Sequence, residues 1–96
     1  MQKLSKEEIQ DRLKDLDGWE YEEDSLYTSL KFNNFKEAFV MMTEIAFEAE
    51  AMQHHPNWYN SYNILEIRLQ THEADGVTAK DFKLAGIING LLGEES

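Results

Sequence analysis

The chain has 96 residues and a formal net charge of -10 at pH 7, from nine lysines and arginines against 19 aspartates and glutamates. Hydrophobic residues make up 42% of it, which is enough for one packed core and too much for a disordered segment. The acidic balance disfavours direct binding to nucleic acid, and the lack of cysteine excludes disulfides, thiol nucleophiles and cysteine-ligated zinc. The longest apolar run is too short for a membrane span and the first residues lack a signal-peptide core, so we expect residues 1–96 to form one soluble, cytoplasmic domain.

A helix-capping signal and two alternating segments organise the first third of the chain. Ser5 and Glu8 form a capping box for a first helix, which we expect to end at Gly18 and to bury one stripe of Ile9, Leu13 and Leu16. Residues 19–22 and 26–32 alternate between apolar and polar side chains, with an acidic turn between them. The pattern predicts a β-hairpin whose second strand carries on one face Leu26, Thr28, Leu30 and Phe32.

The second predicted helix is apolar on more than one face. Asn34 and Glu37 cap its start, and it must end before Pro56, because proline disfavours helical geometry at the residue before it. We expect one core stripe made of Phe35, Ala38, Phe39, Met42, Ile45, Ala46, Ala49 and Met52. Val40 and Phe47 lie off this stripe. They indicate either a contact between subunits or a helix that is buried on all sides.

Strand-like residues and a third helix complete the pattern. Residues 58–64 and 65–71 alternate in opposite registers, so we expect a bulge or a tight turn near Tyr62 and Asn63. Thr78 and Asp81 cap the last helix, whose buried residues should include Phe82, Leu84, Ala85, Ile88 and Leu91. The order α-β-β-α-β-β-α predicts a two-layer α+β fold, with an antiparallel four-stranded sheet and three helices packed on one face.

The three histidines, His54, His55 and His72, fall within nineteen residues and follow predicted elements. Histidine has an ordinary pKa of about 6.5, which lets it donate and accept protons near neutral pH. No lysine or arginine lies between Lys36 and Arg68, while five glutamates do, and nearby carboxylates favour the imidazolium form. The cluster therefore suggests an acid–base site. The alternative is that these are exposed loop histidines without a role.

Other kinds of chemistry find little support in the residues. Three imidazoles could hold zinc, but no established ligand spacing is present, so we expect no metal. The five glycines form no phosphate-binding loop, and no serine lies in a nucleophile motif. Proton transfer by histidine is thus the chemistry that the sequence favours.

The region around the histidines resembles one enzyme family, the pterin-4a-carbinolamine dehydratases. Its matching blocks are Glu50-x-x-x-His54-His55-Pro56-x-Trp58, then Thr71-His72, then Gly76-x-Thr78-x-x-Asp81. The Gly18-Trp19 pair and the order of elements are also similar, so the likeness covers nearly the whole chain. Asp75 departs from the pattern, since family members often carry glycine or a small residue there.

The resemblance implies dehydration of 4a-hydroxytetrahydropterin to quinonoid dihydropterin, in the recycling of a tetrahydrobiopterin-type cofactor after aromatic amino-acid hydroxylation. It implies a homodimer or homotetramer, and neither a metal nor a bound cofactor. It also places all three histidines in the active site. Among them, we expect His55 and His72 to transfer protons and His54 to orient the ring or assist the leaving group. We expect the substrate to contact Glu50, Pro56, Trp58, Thr71, Glu73 and Asp81.

A second hypothesis concerns binding rather than catalysis. Animal members of the family that this chain resembles also act as dimerisation cofactors of a homeodomain transcription factor. The resemblance therefore implies that a protein partner could bind through the second helix. The intact set of three histidines favours the enzyme, because a pure binding module does not need them.

Overall fold

A computed structural model describes residues 2–95, and its elements follow the predicted order. Within these residues the helices are α1 (Lys6–Leu13), α2 (Phe35–Met52) and α3 (Ala79–Glu95). The strands are β1 (Glu20–Glu22), β2 (Ser25–Lys31), β3 (Asn57–Ser61) and β4 (Ile64–Leu69). They form one sheet in the order β1-β2-β4-β3, and every neighbouring pair is antiparallel. The predicted α+β fold class is confirmed.

Two tight turns set which side chains face the helices. Glu23 and Asp24 join β1 to β2 with φ angles of 51° and 61°, a left-handed geometry that suits the twist of a two-residue hairpin. Between β3 and β4, Tyr62 has a φ of 52° in a second two-residue turn. This turn reverses the register, so that Trp58 lies opposite Ile67 on the buried side of the sheet. The predicted tight turn is confirmed.

The core lies between the sheet and the helices. The capping box of α1 is present, with Ser5 and Glu8 bonded to each other's backbone N–H. The helix ends at Leu13, earlier than expected, and Gly18 instead provides a turn with a φ of 86°. The apolar residues that are fully buried include Ile9, Leu26, Ile45, Leu65, Ile67, Leu69, Leu84, Ala85 and Ile88.

The predicted core stripe of α2 is partly wrong. The buried residues of this helix are Ala38, Met41, Ile45 and Ala49. Phe35, Phe39 and Ala46 were expected to be buried, yet all three are exposed to solvent. The reason is that α2 carries more apolar residues than the face against its own sheet can cover. The alternative of a helix buried on all sides is therefore also wrong.

The exposed apolar residues of α2 form a continuous second face. We call this surface the outer α2 face and define it by Phe39, Val40, Thr43, Ala46 and Phe47, all of which are exposed. Phe47 is the most open of them, with 74% of its surface exposed. An apolar surface of this kind on a small protein commonly marks a contact site.

The sheet face away from the helices is polar and internally bonded. The Nη2 atom of Arg68 donates to a Glu22 oxygen at 2.8 Å, and the guanidinium lies 4.5 Å from the centre of the Tyr27 ring. The Tyr27 hydroxyl in turn donates to Glu66 at 2.9 Å. These hydrogen bonds raise the pKa of Arg68 through Glu22 and the pKa of Tyr27 through Glu66. On this face, Arg68 is thus paired with Glu22, and Glu66 is held by the neutral hydroxyl of Tyr27.

Candidate active site

The segment after α2 sends two neighbouring histidines in different directions. Gln53 adopts a left-handed conformation with a φ of 54°, which stops the helix. The backbone N–H of His54 still donates to the Ala49 carbonyl at 3.0 Å, so this residue stays close to the helix end. Pro56 then prevents further helix, and β3 begins one residue later. As a result, His54 is buried whereas His55 is exposed.

The third histidine lies in a short closed loop after β4. The Thr71 N–H donates to the Gly76 carbonyl at 2.9 Å, which closes the loop around a turn of 3₁₀ helix from His72 to Ala74. Asp75 ends this turn with a φ of 56°, a left-handed geometry that glycine adopts most easily. This explains why a glycine suits that position. His72 and Glu73 are exposed to solvent on this hydrogen-bonded loop.

A buried hydrogen-bond network joins three of the predicted site residues. The Nε2 atom of His54 lies 2.6 Å from Oδ1 of Asp81, whose side chain is 0% exposed. The other carboxylate oxygen, Oδ2, accepts the Thr71 hydroxyl and the Thr78 N–H, each at 2.9 Å. The network therefore connects the loop after α2, the end of β4 and the start of α3.

The position of Asp81 follows from how α3 begins. Asp81 lies in the first turn of the helix, where an acidic side chain is favoured by the partial positive charge of the unpaired N–H groups. Its carboxylate accepts the Thr78 N–H, and the Thr78 hydroxyl accepts the Lys80 N–H at 3.2 Å. The predicted cap is confirmed. One carboxylate thus both caps a helix and holds a histidine.

The second pair of groups is open to solvent. His55 Nε2 lies 2.8 Å from a Glu50 oxygen, and the two side chains are 60% and 71% exposed. Trp58 is half-buried on the helix side of β3, and Pro56 is also half-buried. Among residues 2–95, no hydrogen bond or ion pair links His72 with either of the other histidines.

Burial changes what two predicted substrate contacts can do. Asp81 is 0% and Thr71 only 2% exposed, and both use their side-chain oxygens within the network. Both side chains are therefore closed to solvent, and their oxygens bond within the network that contains His54. Sequence reasoning treated Thr78 as a helix cap alone, whereas its hydroxyl also lies 2.7 Å from that of Thr71. The sequence signal for this contact was the position of Thr78, three residues before Asp81 and in the loop that follows Thr71.

The described part of the chain has neither a cluster of metal-ligating side chains nor a membrane-spanning helix. Within residues 2–95, no three histidine, aspartate or glutamate side chains are grouped so that they could hold a metal ion. No helix in that range is long and apolar enough to cross a membrane. The cytoplasmic location stays a prediction from the sequence.

Residues 2–91 match the family model described as pterin 4 alpha carbinolamine dehydratase. A protein of Christiangramia forsetii, named for pterin-4-alpha-carbinolamine dehydratase, is 65% identical over 92 residues, covering 96% of this chain and 95% of its own length. A protein of the same name from Solibacter usitatus is 48% identical, covering 93% of this chain and 94% of its own. The crystal structure of a transcriptional coactivator/pterin dehydratase from Brucella melitensis superposes with a TM-score of 0.89 at 38% identity, covering 92% of this chain and 96% of that one.

Proposed function

Because the chain belongs to the pterin 4 alpha carbinolamine dehydratase family, we propose that it converts 4a-hydroxytetrahydropterin to quinonoid dihydropterin by histidine acid–base catalysis. The observation that best supports this mechanism is the buried His54–Asp81 pair, at a distance of 2.6 Å. A carboxylate that holds one ring nitrogen orients the imidazole and leaves Nδ1 for exchange with a substrate. Two exposed histidines in the adjoining loops supply further proton-transferring groups.

The reaction needs one proton donor and one proton acceptor. A carbinolamine carries a hydroxyl and a nitrogen on the same carbon. When the C–O bond breaks, the oxygen takes a proton and leaves as water, while the ring N–H loses its proton and forms a C=N bond. An imidazolium and a neutral imidazole meet both needs, and positioned acid–base groups typically contribute about 10² to 10⁴-fold.

The geometry favours a different division of labour from the one expected. His54 was expected to orient the ring or to assist the leaving group, with His55 and His72 transferring the protons. We assign the base to His54, because its bonded carboxylate stabilises the imidazolium that forms when Nδ1 accepts a proton. Either exposed histidine then serves as the acid for the leaving hydroxyl. Glu50, Pro56, Trp58 and Glu73 remain predicted substrate contacts.

The proposed physiological setting is recycling of a tetrahydrobiopterin-type cofactor. Support for this comes from family membership, since the reaction uses the hydroxylated pterin that aromatic amino-acid hydroxylation leaves behind. The reaction itself uses only acid–base groups of the chain, so we propose that it needs no bound metal or cofactor.

Turnover by the purified chain tests the activity directly. 4a-Hydroxytetrahydropterin generated in place should lose water faster with the protein than in buffer, as followed by the absorbance of the quinonoid product. The chain should retain its activity after exhaustive chelation and dialysis. Product formation at the buffer rate would contradict the proposed function.

A specific feature of the outer α2 face favours a second role, in assembly. We propose that this face pairs with the same face of a second copy. Exposed residues recur at positions 36, 39 and 40, 43, 46 and 47, and 50, which is the 3.5-residue spacing of a coiled-coil seam. A groove of about 400 Å³ follows this seam beside Thr43, Ala46, Phe47 and Glu50.

The order of residues along the seam suits an antiparallel, two-fold symmetric pair. With Thr43 at the symmetry axis, Phe39 of one copy lies opposite Phe47 of the other, and Val40 lies opposite Ala46. The same register places Lys36 opposite Glu50, so opposite charges meet at both ends. This self-complementarity favours a second copy over an unrelated partner.

Sedimentation of a Phe47→Glu variant tests the assembly. We expect the wild-type protein to be a dimer or larger, and the variant to associate at least about 30-fold more weakly, as for the loss of an aromatic anchor worth about 2 kcal/mol. Tyr62→Glu is the matched control, because Tyr62 is an exposed aromatic residue outside α2, on the β3–β4 turn. A monomeric wild-type protein would contradict self-association and leave the face for a different protein.

A further inference from the structure

A chain of hydroxyl groups lies behind the His54–Asp81 pair, and the carboxylate acceptor at its end determines its direction. The Lys80 N–H donates to the Thr78 hydroxyl oxygen at 3.2 Å. The Thr71 hydroxyl donates to Oδ2 of Asp81 at 2.9 Å. A hydroxyl has one proton, so the 2.7 Å contact between the two threonines must use the proton of Thr78. All donors in this chain therefore point towards Asp81.

This direction has a consequence for the carboxyl group. Oδ2 of Asp81 accepts two hydrogen bonds, one from the Thr71 hydroxyl and one from the Thr78 N–H. Donors at a carboxylate oxygen stabilise the ionised form. Oδ1 and His54 Nε2 are 2.6 Å apart, a contact that requires one proton between them. With the carboxylate ionised, that proton belongs to Nε2, and Nδ1 is the nitrogen that can accept a proton.

We infer that Thr71 is a positioning residue that sets the tautomer of His54 through Asp81. It does not need to touch a substrate, in contrast to the expectation from the sequence. Without its hydroxyl, Oδ2 keeps only the Thr78 N–H, so the carboxylate is less stabilised and the His54–Asp81 pair takes up one further proton from solvent. With Oδ1 protonated and donating to Nε2, His54 carries its own ring proton on Nδ1 and can no longer act as the base. The kinetic part of this inference rests on the proposed function, whereas the tautomer does not.

Thr71→Val and Thr71→Ser form a matched pair for the test. Valine has nearly the shape of threonine and lacks the donor, while serine keeps the hydroxyl. Two-bond ¹H–¹⁵N spectra of the histidine rings show which nitrogen carries the proton. We expect protonated Nε2 in the wild-type protein and in Thr71→Ser, and a raised population of protonated Nδ1 in Thr71→Val. In the same variants, kcat should fall on the order of tenfold for valine only, with a smaller change in KM.

Each outcome separates the inference from its alternatives. A wild-type tautomer and a wild-type kcat in Thr71→Val would show that the hydroxyl is only structural. If the valine variant does not fold, the wild-type spectrum still tests the inference. A neutral His54 with its proton on Nδ1 in the wild-type protein would overturn it. Absence of turnover in the wild-type protein would overturn the proposed function alone, since the spectra do not require a reaction.

Discussion

His54 and His55 are neighbours in the chain, yet their surroundings are opposite. His54 is 8% exposed and pairs with a fully buried aspartate that lies 27 positions later. His55 pairs with Glu50, an exposed residue five positions earlier on α2. The left-handed Gln53 between helix and histidines, and Pro56 after them, cause this divergence. Two chemically identical side chains at one helix end thus differ in their exposure and in their hydrogen-bond partners.

The two histidine–carboxylate pairs differ in their exposure to solvent. An exposed ion pair is screened by water and typically contributes about 0–1 kcal/mol. Removing one partner of a buried pair costs about 3–5 kcal/mol, because the remaining group stays buried without its partner. The buried pair therefore has a defined orientation, and the stability of the fold depends strongly on each of its two partners. The exposed pair can rearrange when a substrate arrives.

The largest effect should come from removing the buried histidine. His54→Ala should lower kcat by about 10² to 10⁴-fold, the range for loss of a positioned acid–base group. Steady-state kinetics with 4a-hydroxytetrahydropterin measures this, and circular dichroism verifies that the variant is folded. A loss confined to KM would indicate a binding role and contradict the proposed base.

The partner of that histidine should have the next largest effect. Asp81→Asn keeps an oxygen that can cap α3 but removes the charge that stabilises the His54 imidazolium, so kcat should fall by about 10². Thermal unfolding must be measured alongside, because the cap contributes about 1 kcal/mol by itself. Full activity in a folded Asp81→Asn protein would mean that the buried carboxylate has no part in the reaction.

The exposed histidines provide the direct contrast with His54. His55→Ala and His72→Ala should each lower kcat and leave the unfolding temperature unchanged, because neither side chain is buried. The variant that removes the catalytic acid should show the larger fall in kcat. The double mutant of this variant with His54→Ala should lose much less activation free energy than the sum of the two single mutants, since both groups act in one step. Strictly additive losses would argue against a paired mechanism.

The smallest effect should come from the exposed partner. Glu50→Gln removes the carboxylate beside His55, and we expect a change of less than about 1 kcal/mol in the free energy of unfolding. Urea titration measures it, and Asp81→Asn serves as the buried comparison. An equal loss in the free energy of unfolding for both variants would contradict the proposed difference between the buried and the exposed pair.

Local signals predicted most of the fold. The caps at Ser5, Asn34 and Thr78 each require contacts only within four residues, so the sequence carries them completely. The reversal of register at Tyr62 is likewise visible in the alternation of apolar side chains. The buried face of α2 could not be read in this way. Its helix offers two apolar stripes, and only the position of the sheet decides which one is covered.

By itself, the sequence determined the order of elements, the grouping of the three histidines and the resemblance to the dehydratase family. The division of roles within that group depended on the tertiary structure. His54 and Asp81 are 27 residues apart, and their contact exists only because α3 returns to the end of α2 after β4. Periodicity and capping act over a few residues, whereas burial depends on every element that packs around a side chain. That is why adjacent histidines with the same local sequence signals differ so strongly in exposure and partners.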